Sequence, residues 1–298
     1  MSFTKYCALF VITVALSSPP AQAIVLTGGN GTENTTATGA GAGWDYVGQV
    51  WDASGVYLGT YGSSYWVLTA HHVASVAGSL NFTLGSTTYN AVTDSYTRIG
   101  TTDLGVYQID GDPGLANLAL RSTELSVGSP VTMIGYGRPE TDAGLAYWSV
   151  SSGVWTPLPD SVGANAAGYY WDTSGIKRWG ENTISGNTVG LYGTDAQSTT
   201  FLVSEGSAQG SLGDSGGGLF FDTGSGVELT GLFSAVGTFT GQPANTSVFG
   251  QTTVFSDISF YRADILAAVP EPSPTALLTA GVGVIGLLAL LRRGKVRH

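Results

Sequence analysis

From residue 43 to residue 265 apolar positions come in short bursts separated by Gly, Ser and Thr, and no long stretch repeats at the helical period. Aromatic or β-branched runs predict strands at 46–51, 65–69, 105–109, 131–136, 200–203, 218–221, 229–233 and 252–255. Many short strands joined by Gly-rich turns imply an all-β sandwich or barrels. The last part of the body differs. There Ile258, Tyr261, Ile265 and Leu266 recur at helix-like spacing, predicting a short helix over 256–268 that ends at Val269-Pro270. Residues 28–43 are Gly, Thr, Asn and Ala with almost no apolar content, which predicts a mobile surface segment. Residues 139–193 hold Trp148, Trp155, Trp171 and Trp179 and are too long for one loop, so strands plus an elaborated surface insertion are expected there.

The two ends carry different patterns. Lys5, the apolar run 6–16 and the exit Ala21-Gln22-Ala23 form the layout of a secretory signal peptide, with cleavage expected after Ala23. At the other end, Val269-Pro270-Glu271-Pro272 precedes an uncharged, mostly apolar stretch at 275–291 and the basic cluster Arg292, Arg293, Lys295, Arg297. The stretch is slightly shorter than the roughly 20 residues of a spanning helix and reads as a transmembrane tail anchor, whose end the basic cluster would hold inside the cell.

Charge and cysteine content then narrow the class of protein. The whole chain has a net charge of −10, and five of its 11 basic residues lie at the two ends, so the body is strongly acidic. Nucleic acid and anionic lipid bind through Lys and Arg, so neither is an expected partner of the body. Membrane contact is expected only through the C-terminal segment. The one cysteine, Cys7, falls in the leader, so the exported body has no disulfide and its core must supply the stability.

Three segments carry chemistry. In Gly213-Asp214-Ser215-Gly216-Gly217, small residues on both sides let the backbone turn sharply, exposing Ser215 Oγ and aiming the N–H groups of Gly213 and Ser215 at one spot. The second is Thr69-Ala70-His71-His72; these are the only imidazoles of the body, and on an extended segment neighbours face opposite ways, so only one can reach a nucleophile. The third is Asp103, at the start of the apolar run 104–107, where a buried carboxylate can accept from an imidazole N–H. A metal site on the two histidines is disfavoured, because adjacent side chains diverge and no second His or Cys cluster completes a shell.

In this order and spacing the three segments resemble the trypsin/chymotrypsin-like serine proteases along almost the whole body. The resemblance implies two antiparallel β-barrels with a short C-terminal helix. It assigns 24–125 to an N-terminal barrel with His72 and Asp103, and 126–268 to a C-terminal barrel with Ser215. It also implies a catalytic triad of His72, Asp103 and Ser215, an oxyanion hole of Gly213 and Ser215, a polypeptide substrate, and no metal or organic cofactor. The strand ending at Ser234 resembles the one that pairs with substrate. Gln209 falls at the base of the specificity pocket and Val236 and Thr253 on its walls, implying cleavage after small uncharged residues. Ile24-Val25 resembles the terminus that activation exposes in this family, with Asp214 as partner of its amine. The usual cysteines are absent, Gly218 replaces a common proline, and Ala235 replaces a common aromatic. The segments flanking the body also match known types: 1–23 a signal peptide, and 269–298 the PEP-CTERM sorting signal of Gram-negative bacteria. That second resemblance implies an exosortase-type partner and a secreted or outer-surface location. An inactive surface or matrix binding protein on the same fold is the alternative.

Overall fold

The computed structural model describes residues 24–39, 41–173 and 175–269. The expected signal peptide and all of the sorting tail after Val269 lie outside these residues.

Two sheets dominate, as the strand pattern implies. The first runs, in spatial order, Thr87–Tyr89, Phe82–Leu84, Val47–Val50, Ala53–Tyr61, Ser64–Ala70, Leu104–Ile109, Thr97–Arg98, all antiparallel and open along its outer edges. The second runs Gly218–Asp222, Pro130–Gly135, Arg178–Val189, Asp195–Thr200, Thr252–Asp257, Val227–Val236, and pairing of the first with the last closes it into a six-stranded barrel. A closed barrel has no exposed edges to protect. The architecture is the chymotrypsin-like double barrel, with one barrel closed and the other half-formed.

The cores follow from the alternation. Val56, Leu68, Val106 and Phe82 fill the first sheet, and Val131, Met133, Ile184, Phe233 and Phe255 the second. The expected terminal helix is Ile258–Ala268, started by Asp257, whose carboxylate accepts from the Ser259 N–H at 2.8 Å. Its buried face of Ile258, Tyr261 and Ile265 packs against the strand Val227–Val236 and belongs to a core cluster that holds residues of both sheets, so the helix braces the second barrel where it meets the first.

Three expectations need correction. Within the expected mobile segment 28–43, residues 28–36 are fastened rather than loose: Arg178 and Glu140 are both buried, Arg178 donates to the carbonyls of Ile24 and Glu33, Glu140 accepts from the N–H groups of Leu26 and Gly31, and Trp179 Nε1 donates to the Thr36 carbonyl. Low apolar content was misleading here because the anchoring comes from charged hydrogen bonds. A strand at 200–203 is instead Asp195–Thr200, since the chain leaves the sheet at Phe201. The histidines do not sit on extended chain; the strand stops at Ala70 and His71–Val76 is helical. Within 139–193, Ala146–Ser151, Val154–Leu158 and Ala166–Tyr170 join Thr246–Val248 in a separate four-stranded sheet around the buried Trp148.

Candidate active site

Strand register builds one wall of the site. Ala70 pairs with Leu104, so the residues just beyond each strand end, His71 and His72 on one side and Asp103 on the other, meet at one edge. The His71 N–H donates to the Asp103 carbonyl at 3.0 Å and the His72 N–H to its carboxylate at 2.9 Å. Asp103 is fully buried, and His72 Nδ1 lies 2.9 Å from Oδ2. A carboxylate only accepts, so Nδ1 carries the proton and Nε2 is left as an acceptor. Nε2 lies 2.8 Å from Ser215 Oγ.

Thr194, which the sequence did not single out, and Ser234 hold Asp103 in place. Thr194 Oγ1 accepts from the Asp103 N–H at 2.8 Å. Ser234 Oγ donates to Oδ2 at 2.7 Å, which gives Ser234 a role behind the acid as well as on its strand. His71 points elsewhere: its Nδ1 meets the Tyr96 hydroxyl at 2.7 Å, and its ring lies edge-on to Tyr192. Burial, followed by the nearby Arg98 cation, lowers its pKa from the ordinary value.

The loop that carries Ser215 belongs to the second barrel and is tied to the first by Ser54. The Ser54 N–H donates to the Ser215 carbonyl at 2.9 Å, its Oγ donates to the Gly213 carbonyl at 3.0 Å, and the same Oγ accepts from the Tyr136 N–H at 2.9 Å. Ser54 thus holds the Gly213 and Ser215 carbonyls, and among the described residues neither the Gly213 N–H nor the Ser215 N–H has an acceptor. Gly213 sits at φ +101°, and a Cβ there would lie 3.0 Å from Gly137 Cα, so both conformation and space demand glycine.

Asp214 lies beneath this loop, nearly fully buried. It accepts from the N–H groups of Gly137 and Ser211, from Ser211 Oγ, and from the main-chain N–H of Ile24. Burial outweighs these bonds and pushes its carboxyl up to about 6. Ile24 is itself fully buried, in a left-handed conformation at φ +53° that is strained for a β-branched residue.

Two cavities meet at Leu212 and Ser215. The smaller, about 190 Å³, is lined also by Trp171, Phe233, Ala235 and Val236. Val236 thus lies on its wall, while Gln209 and Thr253 are buried behind it, bonded to the Thr252 carbonyl and the Gly210 N–H. Trp171 was not expected here, because it arrives from the chain following the inserted sheet. The larger cavity, about 630 Å³, contains His72 and Gly213.

An acid, an imidazole and a hydroxyl in line at the junction of two β-barrels define the class, that of two-barrel proteases. The chain belongs to the trypsin-like peptidase domain family, whose model matches residues 53–227. No curated protein matches it. Among solved structures it is similar to Rv3671c from M. tuberculosis H37Rv. An inactive-form mutant shows TM-score 0.47 and 14% identity over 78% of this chain and 89% of that one. The protease in its inactive form shows 0.47 and 13% over 78% and 95%. The HtrA-type protease AlgW with a decapeptide shows 0.44 and 19% over 73% and 51%.

Proposed function

We propose that this protease is a secreted serine endopeptidase working through Ser215, His72 and Asp103. The observation that carries the reading is the 2.8 Å approach of His72 Nε2 to Ser215 Oγ beside two N–H groups without acceptors. His72 takes the Ser215 proton as Oγ attacks the substrate carbonyl, and Asp103 stabilises the imidazolium that forms. The Gly213 and Ser215 N–H groups receive the oxyanion. His72 then protonates the departing amine, and water, activated by the same imidazole, releases the acyl group. A fluorophosphonate probe tests this directly: one adduct on Ser215, absent in His72→Ala, is expected, and an unlabelled protein would favour the binding-protein alternative.

The acyl side follows from the sheet. Ala235 and Val236 pair with the strand Thr252–Asp257 on one side only, leaving the other open to an extended substrate. The small cavity beside them is walled by Trp171, Phe233 and Val236 and holds no charged group, supporting cleavage after small uncharged residues.

Export is proposed to complete the site. Cleavage after Ala23 would turn the Ile24 N–H that already reaches Asp214 into an ammonium, giving the buried carboxylate a cationic partner. The tail at 269–298 is proposed to direct the protein through an exosortase-type system to the outer surface or medium of a Gram-negative bacterium. This part of the proposal rests on the sequence pattern of the two ends.

A further inference from the structure

Six basic residues lie in the body, and five of them are engaged within it. Arg98 bonds the carbonyls of Thr101 and Thr102, Arg121 pairs with Glu228, and Arg178 pairs with Glu140. Lys177 bonds the carbonyls of Trp44 and Val47, and Arg262 that of Leu120. The sixth, Arg138, has no acceptor for its guanidinium among the described residues. Its main chain, by contrast, is fixed. The Arg138 N–H donates to Ser211 Oγ at 2.7 Å, and the preceding Gly137 N–H to Asp214 at 2.7 Å. A free cation is therefore rooted on the loop that shapes the oxyanion hole.

Arg138 lines the larger cavity, together with His72 and Ser215. The two cavities divide a substrate between them. The smaller lies along the open edge at Ala235 and Val236, where the acyl half pairs. The larger holds the imidazole that must hand its proton to the departing amine, so it receives the leaving-group half.

We propose that Arg138 binds a carboxylate on the leaving-group peptide, making the enzyme selective for acidic residues shortly after the scissile bond; this rests on the reading of Ser215 as nucleophile. The guanidinium offers a planar fork of donors that matches a carboxylate, and it pays no cost of leaving another partner. Without it, the strongly acidic body would repel such a substrate. Asp52 also lines the cavity, beyond ion-pair distance from Arg138. Its charge opposes an acidic substrate, so Asp52→Asn should strengthen the preference.

The test uses quenched peptides that share one acyl half ending in Ala and carry Ala-Asp, Ala-Ala or Ala-Lys amides after the cleaved bond, plus Ala-Ala ending in a free acid. At low salt, kcat/KM for the Asp peptide should exceed that for the Lys peptide about tenfold, the gap expected of one partly shielded charge pair plus one repulsion. Arg138→Gln should erase the gap and Arg138→Glu invert it. The free-acid peptide separates a terminal carboxylate from a side-chain one as the preferred source. Equal rates across the series, or a gap that survives Arg138→Gln, would overturn the proposal. If wild type cleaves none of the peptides, the hydrolase reading fails instead. Dissociation constants of the same peptides for Ser215→Ala then decide on Arg138, equal values for Asp and Lys peptides rejecting it.

Discussion

Ser54 Oγ donates to the Gly213 carbonyl at 3.0 Å, so a side chain of the first sheet holds the Gly213–Asp214 peptide, which lies between the two N–H groups proposed to receive the oxyanion. Ser54→Ala should leave that buried carbonyl without its donor and let the peptide rotate. We expect kcat to fall about tenfold with KM little changed, less than the roughly 100-fold typical of deleting an oxyanion donor outright. An unchanged kcat would show that the N–H of Ser54 suffices.

Ser215→Ala and His72→Ala should each abolish nearly all hydrolysis, and the double variant should be no worse, because the groups act as a unit. His71→Ala should keep most of the activity, since its ring bonds Tyr96 rather than Ser215. Steady-state kinetics on folded variants reads both outcomes. An inactive His71→Ala beside an active His72→Ala would reverse the assignment.

The Asp214 carboxyl gives a signed pH test. Its pKa is raised from 3.8 to about 6 where Ile24 offers only a peptide N–H, so the folded state binds more protons than the unfolded state between those values. Stability of a form extended beyond Ile24 should therefore fall as pH rises from 3.8 to about 6. With Ile24 as the true N-terminus, the ammonium pairs with the carboxylate and this fall should vanish. The amine's own pKa is then raised above about 8, so the pair's contribution is present below that value and lost as pH rises through it. Tm against pH for the two forms makes the comparison, and parallel curves would show that Ile24 and Asp214 do not pair.

Arg178 and Glu140 are a buried pair that fastens the N-terminal segment. Arg178→Met should destabilise the protein by about 3–5 kcal/mol, because Glu140 is left charged and buried. Arg178→Met with Glu140→Gln should recover part of that loss by removing the charge. Chemical denaturation measures both, and equal losses in the two variants would mean that the cost comes from packing.

On the acyl side, a peptide-library profile should be dominated by Ala, Val or similarly small residues before the cleaved bond. The walls of the small cavity offer no carboxylate to Arg or Lys. A profile dominated by Arg, Lys or Trp would contradict this.

Local pattern carried a great deal. Alternation and Gly-rich punctuation were enough for an all-β chain with a terminal helix, because strand and turn preferences act over a few residues. The three chemical segments were legible for the same reason: each needs particular neighbours, as Ser215 needs flanking glycines. Long-range placement was not legible. That Ala70 stands opposite Leu104, bringing His72 to Asp103, depends on the register between strands more than thirty residues apart in sequence. Ser54, Thr194 and Trp171 carry no local mark, since an ordinary Ser, Thr or Trp becomes part of a site only when another segment folds against it. The Gly- and Asn-rich run after Leu26 read as loose because composition reports apolar burial, whereas this segment is held by the charged groups of Arg178 and Glu140, which lie over a hundred residues away in sequence.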